Sequence, residues 1–460
     1  MPANHDDVLR RLRAELPDDR IRTDAATLEA LRTDRSGVRT PGPPLALVEA
    51  TTIAEVRAVC RIATATRTPI VTRGAGSGLA GAAAAGPGEL VLSTERMARI
   101  VEVSPENQYC VVEPGILNGD LNRALAEHGL WWPPDPASKD FSTVGGNIAM
   151  NAGGLLCAKY GVTREAVLAL KVVLASGELI EVGHRTVKGV TGYDLCALMI
   201  GSEGTLGVIV EATLKLRPAV TGPVPTIGAY FDSIADAATA SAAITAAGLQ
   251  PAIQELLDTN MLLAVTEHTG VDLASAGAAY LLVQTDGPDA ADEAERILAV
   301  LERAGGRATL TTDPDAAASL VDVRRQGFPA LEARGAFLVE DCAVPRSRLV
   351  EMYARIDEVA ARHDVFIATP CHAGDGNLHP TFVFEGTTDA VPEHVWQAAG
   401  EIFTAALELG GTLSGEHGIG LLKRRWLGDE LGDAQLELQR RIKDVFDPLG
   451  LLNPGKVFPD

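Results

Sequence analysis

The stretch 371–380, CHAGDGNLHP, carries the residue types in this chain that are best suited to chemistry. The Asp-Gly pair at 375–376 is a strong signal for a two-residue hairpin turn. A hairpin folded about that turn pairs His372 with His379. Directly opposed residues share one face, with their Cβ atoms roughly 5 Å apart. The pattern therefore predicts two imidazoles that hold one metal ion, with Asn377 pointing to the same side.

A third ligand is available in the later stretch 414–420, SGEHGIG, which contains Glu416 and His417. Two histidines and one carboxylate leave coordination positions of a metal open for substrate. The alternative is a polar hairpin whose histidines only cap backbone groups, but the second cluster of acid and imidazole favours a metal site. Cys371 is a further candidate ligand, although a buried core cysteine fits its neighbours better.

Length and composition exclude several classes of protein. The chain has 460 residues, enough for two or three domains, and 46% of them are hydrophobic, which excludes a disordered protein. No apolar run reaches the ~20 residues that span a bilayer. The start, MPANHDDVLRRLRAEL, lacks the apolar core of a signal peptide and predicts an amphipathic helix. These features predict a cytoplasmic protein without a transmembrane segment.

The charge and the cysteines point the same way. The formal net charge of -21, with no basic run, disfavours nucleic acid as a partner. An anionic substrate would therefore need a local positive group, such as a buried arginine or a metal. The six cysteines form no CxxC pair, which is typical of reduced thiols in the cytoplasm; they are Cys60, Cys110, Cys157, Cys196, Cys342 and Cys371.

Three glycine-rich runs, 73–81, 142–154 and 201–207, precede this chemistry in the chain. The first contains a GxGxxG pattern, but a Rossmann motif must open a crossover helix, and the strand predicted at 90–92 leaves no room for one. Such a loop can still offer backbone N–H groups to a pyrophosphate. The alternative is a flexible surface loop. Paired glycines in the second run suit close approach of the backbone to a large ligand.

The elements that must position these residues fall into two regions, separated by the proline-rich segment 217–225. Before it, helices and strands alternate, beginning with a capping box at Thr52 and Glu55. After it, strands alternate with helices in a pattern typical of an α+β layer with an antiparallel sheet, for which a ferredoxin-like arrangement is a candidate. The predicted strands of the second region are 226–231, 279–284, 308–311 and 337–341, and its helices are 234–247, 290–304, 316–333, 347–363 and 395–409.

Nine motifs together resemble the FAD-linked oxidase superfamily of vanillyl-alcohol oxidase and p-cresol methylhydroxylase. Within it, the chain resembles D-2-hydroxy-acid dehydrogenases, namely D-lactate and D-2-hydroxyglutarate dehydrogenases and the glycolate oxidase flavoprotein subunit. The matching motifs extend over nearly the whole chain and are RGAGSGLAG, PPDPAS, TVGGNIAMNAGG, KYGVTRE, TGYDL, GSEGTLGVI, CHAGDGNLHP, SGEHGIG and LNPGK.

The resemblance implies a fold and a set of site residues. The fold class is α+β, with a two-lobed FAD-binding domain of the p-cresol methylhydroxylase type at 1–217, a cap domain with an antiparallel sheet at 218–409, and a segment at 410–460 that returns to the flavin. Non-covalent FAD is expected to contact Arg73, Gly74, Ala75, Gly76, Ser77, Gly78, Pro134, Thr143, Val144, Gly145, Gly146, Asn151, Gly204, Gly207, Ile209 and Asn453.

The same resemblance assigns roles to the chemical clusters. His372, His379 and Glu416 would bind a divalent metal, Zn or Mn, and His417 would be the catalytic base. Arg324 opens a variant of the family pattern Arg-Lys-x-x-Phe-Pro and becomes the clamp for substrate carboxylate, with Asn377 as a further substrate contact. The family often has Trp three residues before this arginine, and Val321 stands there in this chain, which alters the expected pocket.

The predicted function is oxidation of a small D-2-hydroxy acid to the 2-oxo acid, with electrons leaving to a quinone, an electron-transfer flavoprotein or another carrier. The nearest alternative is an oxidase that reduces oxygen. Two other classes stay open: a zinc hydrolase with an unrelated nucleotide site, against which the three glycine-rich runs argue, and a flavin-binding regulatory protein, which has no use for a base beside metal ligands. A homodimer is one candidate assembly.

Overall fold

The computed structural model describes residues 5–459, which form two compact units. The first unit combines residues up to 153 with 162–219 and 417 onward, and the second combines 154–161 with 220–416. Compared with the predicted spans, the segment 154–161 joins the second unit, and that unit extends to Glu416 instead of ending at 409. No helix in the described part of the chain is long and apolar enough to cross a membrane.

Both units mix helices and strands along the chain. The helices are α1 (His5–Glu15), α2 (Ala25–Ala30), α3 (Ile53–Thr66), α4 (Asn118–Ala126), α5 (Val144–Met150), α6 (Cys157–Tyr160), α7 (Leu195–Met199), α8 (Ile234–Ala246), α9 (Thr259–Thr269), α10 (Ala290–Arg303), α11 (Pro314–Arg325), α12 (Gly327–Arg334), α13 (Leu349–His363), α14 (Glu393–Glu408) and α15 (Leu427–Phe446). The strands are β1 (Ile21–Arg22), β2 (Ala46–Glu49), β3 (Ile70–Arg73), β4 (Leu90–Ser93), β5 (Ile100–Ser104), β6 (Tyr109–Val112), β7 (Leu130–Trp131), β8 (Val167–Val173), β9 (Leu179–Gly183), β10 (Val208–Lys215), β11 (Arg217–Pro218), β12 (Thr226–Phe231), β13 (Ile253–Leu257), β14 (Ala279–Gln284), β15 (Arg307–Thr311), β16 (Ala336–Val339), β17 (Cys342–Ala343), β18 (Phe366–Ala368), β19 (Cys371–His372), β20 (Asn377–Leu378) and β21 (Thr381–Phe384). The amphipathic helix predicted at the chain start is α1 from His5 onward; the four residues before it lie outside the described range.

The first unit contains two main sheets, with strand orders β1-β2-β4-β3 and β5-β6-β10-β8-β9. In the first sheet, β2 and β3 both pair with β4 in parallel. Helix α3 packs against this sheet through Val56, Val59 and Cys60, and Thr52 caps it by accepting a hydrogen bond from the Glu55 amide at 3.2 Å. In the second sheet all pairings are antiparallel, including the hairpin of β8 and β9.

The connection between β3 and β4 has no helix, as the sequence predicted. Residues 74–89 form turns and bends, although the two strands that they join are parallel. The first glycine-rich run is therefore a loop at the carboxyl end of β3 and not a Rossmann turn. This places its backbone at the end of strands, where α/β sheets commonly bind ligands.

The second unit is built on an antiparallel sheet with the order β15-β12-β14-β13-β19-β20-β17. Its first four strands are ordered fourth, first, third, second, as in a ferredoxin-like sheet, and α9 is an additional helix between the second and third strands. The sequence did not predict β13. The single helix predicted at 316–333 is two helices, α11 and α12, which meet at Gln326 and Gly327.

The predicted register of the central hairpin is wrong. His372 pairs with Asn377 and Cys371 with Leu378, so the loop contains the four residues 373–376 instead of two. The backbone of this loop bonds to its neighbours: the Gly374 amide donates to Gln254, and the Val344 amide donates to Gly376. His372 and His379 still lie on one face, because residues two apart on a strand point the same way and diagonal partners remain within reach.

Candidate active site

The predicted metal ligands His372, His379 and Glu416 lie together in the second unit. Their candidate ligand atoms all lie within 4.8 Å of one another, and His372 Nε2 is 3.2 Å from Glu416 Oε1. The two imidazole rings are 4.9 Å apart between centroids and nearly perpendicular. Ligand atoms about 2 Å from a shared ion lie roughly 3–4 Å apart, so the cluster needs only small side-chain movements to fit a metal.

Glu255 completes the environment of His372. It stands directly opposite His372 in the β13–β19 pairing, and its Oε1 is 2.6 Å from His372 Nδ1. Histidines that bind a metal through one ring nitrogen usually donate the other N–H to a carboxylate. The contact therefore directs Nε2, on the opposite edge of the ring, toward Glu416, and the side chains present fit a divalent metal.

Arg324 lies at the end of α11, where its Nε donates to Glu255 Oε2 at 3.0 Å. Its side chain is 13% exposed, and that of Glu255 is 1% exposed. Within the described residues the two terminal nitrogens of this guanidinium have no hydrogen-bond partner. A planar fork of two N–H donors is the group that binds carboxylates in bidentate fashion. The predicted carboxylate clamp is thus joined to a predicted metal ligand through one buried glutamate.

Asp341 fixes the backbone on both sides of Gly415. Its Oδ2 accepts hydrogen bonds from the Gly415 and Glu416 amides at 2.6 and 2.7 Å, and its Oδ1 accepts from the Ser414 hydroxyl at 3.1 Å. The side chain is fully buried. Two amides on one carboxylate oxygen hold this turn in place, so Asp341 determines where the Glu416 side chain begins.

Asn377 lies opposite His372 in the β19–β20 pairing and packs against Gly415. A Cβ atom added at Gly415 would lie 2.4 Å from the Asn377 Nδ2. Its Nδ2 donates to the Cys342 carbonyl at 2.9 Å. Its Oδ1 is buried without a hydrogen-bond partner among the described residues. A buried acceptor of this kind is available to a ligand hydroxyl, which is consistent with the predicted substrate contact.

The electrostatics of the cluster follow from burial and from the neighbouring carboxylates. Burial alone lowers the pKa of His372, but the carboxylates of Glu255 and Glu416 raise it well above its ordinary value. Burial raises the pKa of Asp375, in the hairpin loop, to about 6. The carboxylates of Asp375, Glu255 and Glu416 repel one another, and a bound cation would offset that repulsion.

In the first unit, the loop after β3 offers a row of free backbone donors. No backbone N–H of residues 74–78 has a hydrogen-bond partner within the described part of the chain. Arg73 lies beneath the loop and donates to the carbonyls of Thr33 and Ala83 at 3.0 and 2.8 Å. A Cβ at Gly76, which has φ of +65°, would lie 2.1 Å from this guanidinium. The arginine therefore supports the loop, whose amides fit a pyrophosphate.

The second glycine-rich run forms α5 and is bonded differently. The amides of Val144, Gly145 and Gly146 already donate to Ile116, Pro114 and the Thr143 hydroxyl. Close backbone packing replaces free donors in this run, since a Cβ at Gly145 would lie 2.5 Å from Pro114. Buried polar atoms nearby lack partners among the described residues, namely Thr72 Oγ1, Ser142 Oγ and Asn147 Nδ2. Orphaned groups beside free loop amides fit a large polar ligand such as FAD.

The third run is tied to both the first run and the chain end. Asn453 Nδ2 donates to the carbonyls of Ala82 and Glu203 at 3.0 and 2.7 Å. The Glu203 carboxylate in turn accepts from the amides of Ile419 and Gly420 at 2.7 and 2.8 Å. Burial raises the pKa of Glu203 to about 7. This residue anchors the part of the first unit that follows His417.

The remaining predicted residues have mainly backbone or packing contacts. Pro134 accepts from Asn118 at 2.8 Å, and Asn151, with φ of +51°, ends α5 and accepts from the Arg164 amide. Gly204 has a left-handed backbone, and Gly207 and Ile209 pack along β10 and its partner β8. His417 is partly buried and begins the final stretch of the first unit.

Sequence reasoning missed Glu255, Asp341 and Glu203. Glu255 interrupts the apolar run of a short strand, and that interruption hid both the strand and the residue. Asp341 is the last residue of the strand predicted at 337–341, and Glu203 lies within the third glycine-rich run, so neither position indicated a buried acid. The available signal was a fully buried carboxylate, which becomes visible only when the fold shows what covers it.

Two family models match the chain: the FAD binding domain over residues 44–183 and the C-terminal domain of FAD linked oxidases over residues 223–457. The chain is 40% identical to the glycolate oxidase subunit GlcD of Bacillus subtilis over 88% of this chain and 87% of that protein. It is 35% identical to the D-lactate dehydrogenase of Anaerostipes hadrus over 90% and 89% of the two chains.

Structural comparison gives the same fold. The structure of p-cresol methylhydroxylase with substrate bound superposes with a TM-score of 0.80, covering 99% of this chain and 97% of that chain at 18% identity. The predicted fold class is therefore confirmed. The chain belongs to the FAD-linked oxidase family and is an FAD-linked oxidoreductase.

Proposed function

We propose that the protein oxidises a D-2-hydroxy acid to the 2-oxo acid, with FAD and a divalent metal, Zn or Mn, as cofactors. The observation that carries this proposal is the series Arg324, Glu255, His372 and Glu416, in which the two inner residues are buried and successive side chains are 3.0, 2.6 and 3.2 Å apart. This series supports the proposal because it joins the candidate carboxylate clamp to the candidate metal ligands in one network. A 2-hydroxy acid presents a carboxylate and a hydroxyl on adjacent carbons, which matches those two features.

The names of two relatives support the substrate class. One is a glycolate oxidase subunit and the other a D-lactate dehydrogenase, and glycolate and lactate are both small 2-hydroxy acids. The second name also supports the D configuration. At 35–40% identity these names support the class of acid and not one member of it.

Each site residue has a separate role in the proposed reaction. Arg324 binds the carboxylate through its terminal nitrogens, and Asn377 is a further contact to the bound acid. A neutral His417 accepts the hydroxyl proton on a ring nitrogen. His372, His379 and Glu416 would hold the metal, which would lower the pKa of a ligating hydroxyl, and FAD would supply the hydride acceptor for C2. Because Glu416 and His417 are consecutive, their Cα atoms stay about 3.8 Å apart, so placing the ligand also places the base.

The test is an anaerobic screen of the purified, metal-loaded protein against D and L pairs of 2-hydroxy acids. The absorbance of oxidised flavin should bleach with a D acid and not with its L partner. The sodium salts of the corresponding 2-oxo acids serve as controls, because they carry the carboxylate but no hydride. Bleaching by simple alcohols, or by no hydroxy acid, would reject the proposal.

The role of His417 has a separate test. Removal of a general base slows the chemical step by roughly 10²–10⁴-fold. His417→Ala should therefore slow flavin reduction by that factor in anaerobic stopped-flow, while metal and FAD contents stay near those of the wild type. Reduction within a few-fold of the wild-type rate would show that His417 is not the base.

The electron acceptor separates this proposal from its nearest alternative. The name of the Bacillus relative contains the word oxidase, which keeps oxygen as a candidate acceptor. A dehydrogenase that passes electrons to a quinone or an electron-transfer flavoprotein should be reoxidised slowly in air and rapidly by the carrier. Rapid reoxidation by air alone, with hydrogen peroxide formed in equal amount, would favour the oxidase.

A further inference from the structure

Resting on the proposed function, we infer that Glu255 is a positioning residue that couples the metal ligand His372 to the carboxylate clamp Arg324. Its Oε1 is 2.6 Å from His372 Nδ1, and its Oε2 is 3.0 Å from Arg324 Nε. One carboxylate thus sets the orientation of both groups. Neutralising it should weaken the binding of metal and of substrate carboxylate together.

The position of Glu255 in the sheet gives it this reach. β13 pairs with β19 so that Glu255 stands directly opposite His372, and β19 pairs with β20 so that His372 stands opposite Asn377. The three side chains form one row across three strands. Arg324 reaches the start of this row from α11. The carboxylate is therefore held by backbone pairing on one side and by the guanidinium on the other.

Burial makes the two contacts obligatory. The Glu255 side chain is 1% exposed, so water cannot replace either partner. The Nδ1 contact fixes the ring so that Nε2 faces Glu416, 3.2 Å away. The Nε contact occupies one edge of the guanidinium and leaves the two terminal nitrogens for an anion. A simple structural ion pair would need only the second contact, and the first is what links it to the metal.

The test is Glu255→Gln, which keeps size and shape and removes the charge. The first measurement is Zn²⁺ affinity, by competition with a chromophoric chelator in the absence of substrate. Loss of such an outer partner typically weakens metal binding about 10–100-fold. The second measurement is the KM and kcat of the best D-2-hydroxy acid at saturating Zn²⁺, where the metal deficit is removed. KM should still rise, because a clamp misplaced by 1 Å can cost on the order of 100-fold in kcat/KM.

Glu267→Gln is the matched control. Glu267 pairs with Arg334 at 2.6 Å in the same unit, but its side chain is 51% exposed, and no metal ligand contacts it among the described residues. The control variant loses a glutamate–arginine ion pair of the same type, so neither measurement should change.

A double variant, Glu255→Gln with Arg324→Gln, removes the buried pair as a whole and avoids a buried unpaired guanidinium if the single variant folds poorly. Its metal affinity should be as weak as that of the single variant.

Two results would overturn the inference, and a third would reject only the proposed function. Metal affinity within twofold of wild type in both Glu255 variants excludes the link to His372. A weakened metal site with unchanged KM at saturating Zn²⁺ excludes the link to Arg324. If the wild type is bleached by no D-2-hydroxy acid, the proposed function fails on that evidence alone, and the metal titration then decides whether Glu255 positions His372.

Discussion

Replacing Asp341 tests how firmly the backbone places Glu416. The carboxylate accepts two amides at 2.6 and 2.7 Å and one hydroxyl at 3.1 Å in a fully buried site. Hydrogen bonds to a charged group contribute about 1.5–3 kcal/mol each, and neutral ones about 0.5–1.5 kcal/mol. Asp341→Asn keeps an acceptor for both amides, so we expect a loss of about 2–3 kcal/mol. Asp341→Ala leaves two buried donors without acceptors and should cost about 2–6 kcal/mol.

These energies translate into metal affinity. If the loosened turn must be re-formed whenever Glu416 binds the ion, a loss of about 2–3 kcal/mol weakens binding by roughly 30–150-fold. Ser414→Ala is the graded control, since it removes one hydroxyl donor to the Asp341 carboxylate and should cost about 1.5 kcal/mol, the lower end of the range for a charged partner, or roughly 13-fold. The assay is chelator competition with Zn²⁺ on protein with full FAD content. The reasoning is refuted if Asp341→Asn binds Zn²⁺ within twofold of wild type, or if Ser414→Ala is the weaker binder of the two.

Four further predictions concern the cofactors, the substrate and the pH dependence of stability. FAD should stay in the supernatant after acid precipitation, because the three glycine-rich runs contain no histidine for a covalent link; a yellow pellet would contradict this. His372→Ala combined with His379→Ala should lose metal and activity but keep FAD, and stoichiometric metal in that variant by elemental analysis would exclude the site. Arg324→Lys keeps the charge but loses the fork, so KM should rise by an amount equivalent to roughly 2–4 kcal/mol; an unchanged KM would count against the clamp. Burial raises the pKa of Glu203 to about 7, so the folded state keeps a proton on this carboxyl that the unfolded state releases above about pH 4.5. The free energy of unfolding should therefore fall by about 3 kcal/mol as the pH rises from about 4.5 to about 7. Glu203→Gln should reduce the pH dependence of the melting temperature in this range, with thermal unfolding followed by flavin fluorescence. An unchanged pH dependence would refute the assignment.

The sequence alone was sufficient to predict the chemical groups because they are local in the chain. His372 and His379 occur within one ten-residue stretch, and Glu416 and His417 are consecutive. The loop after β3 was also predictable, since the short spacing to the next strand excludes a helix whatever the tertiary fold. The antiparallel layer was predictable from the alternation of strands and helices beyond residue 225, because the periodicity of each element is a local property of the sequence.

Only the tertiary structure decided the hairpin register and the residues around the metal ligands. An isolated Asp-Gly turn favours a two-residue loop, but in this fold Gly374 and Gly376 bond to β13 and to Val344, and these contacts outweigh the local preference. Gly376, with φ of +90°, fits a position where a Cβ would lie 2.1 Å from the Val344 carbonyl oxygen. Glu255 and Asp341 reach the cluster from 117 and 75 residues away along the chain, over separations at which local sequence patterns carry no information about contact. Their burial as charged groups depends on partners that only the folded sheet brings together.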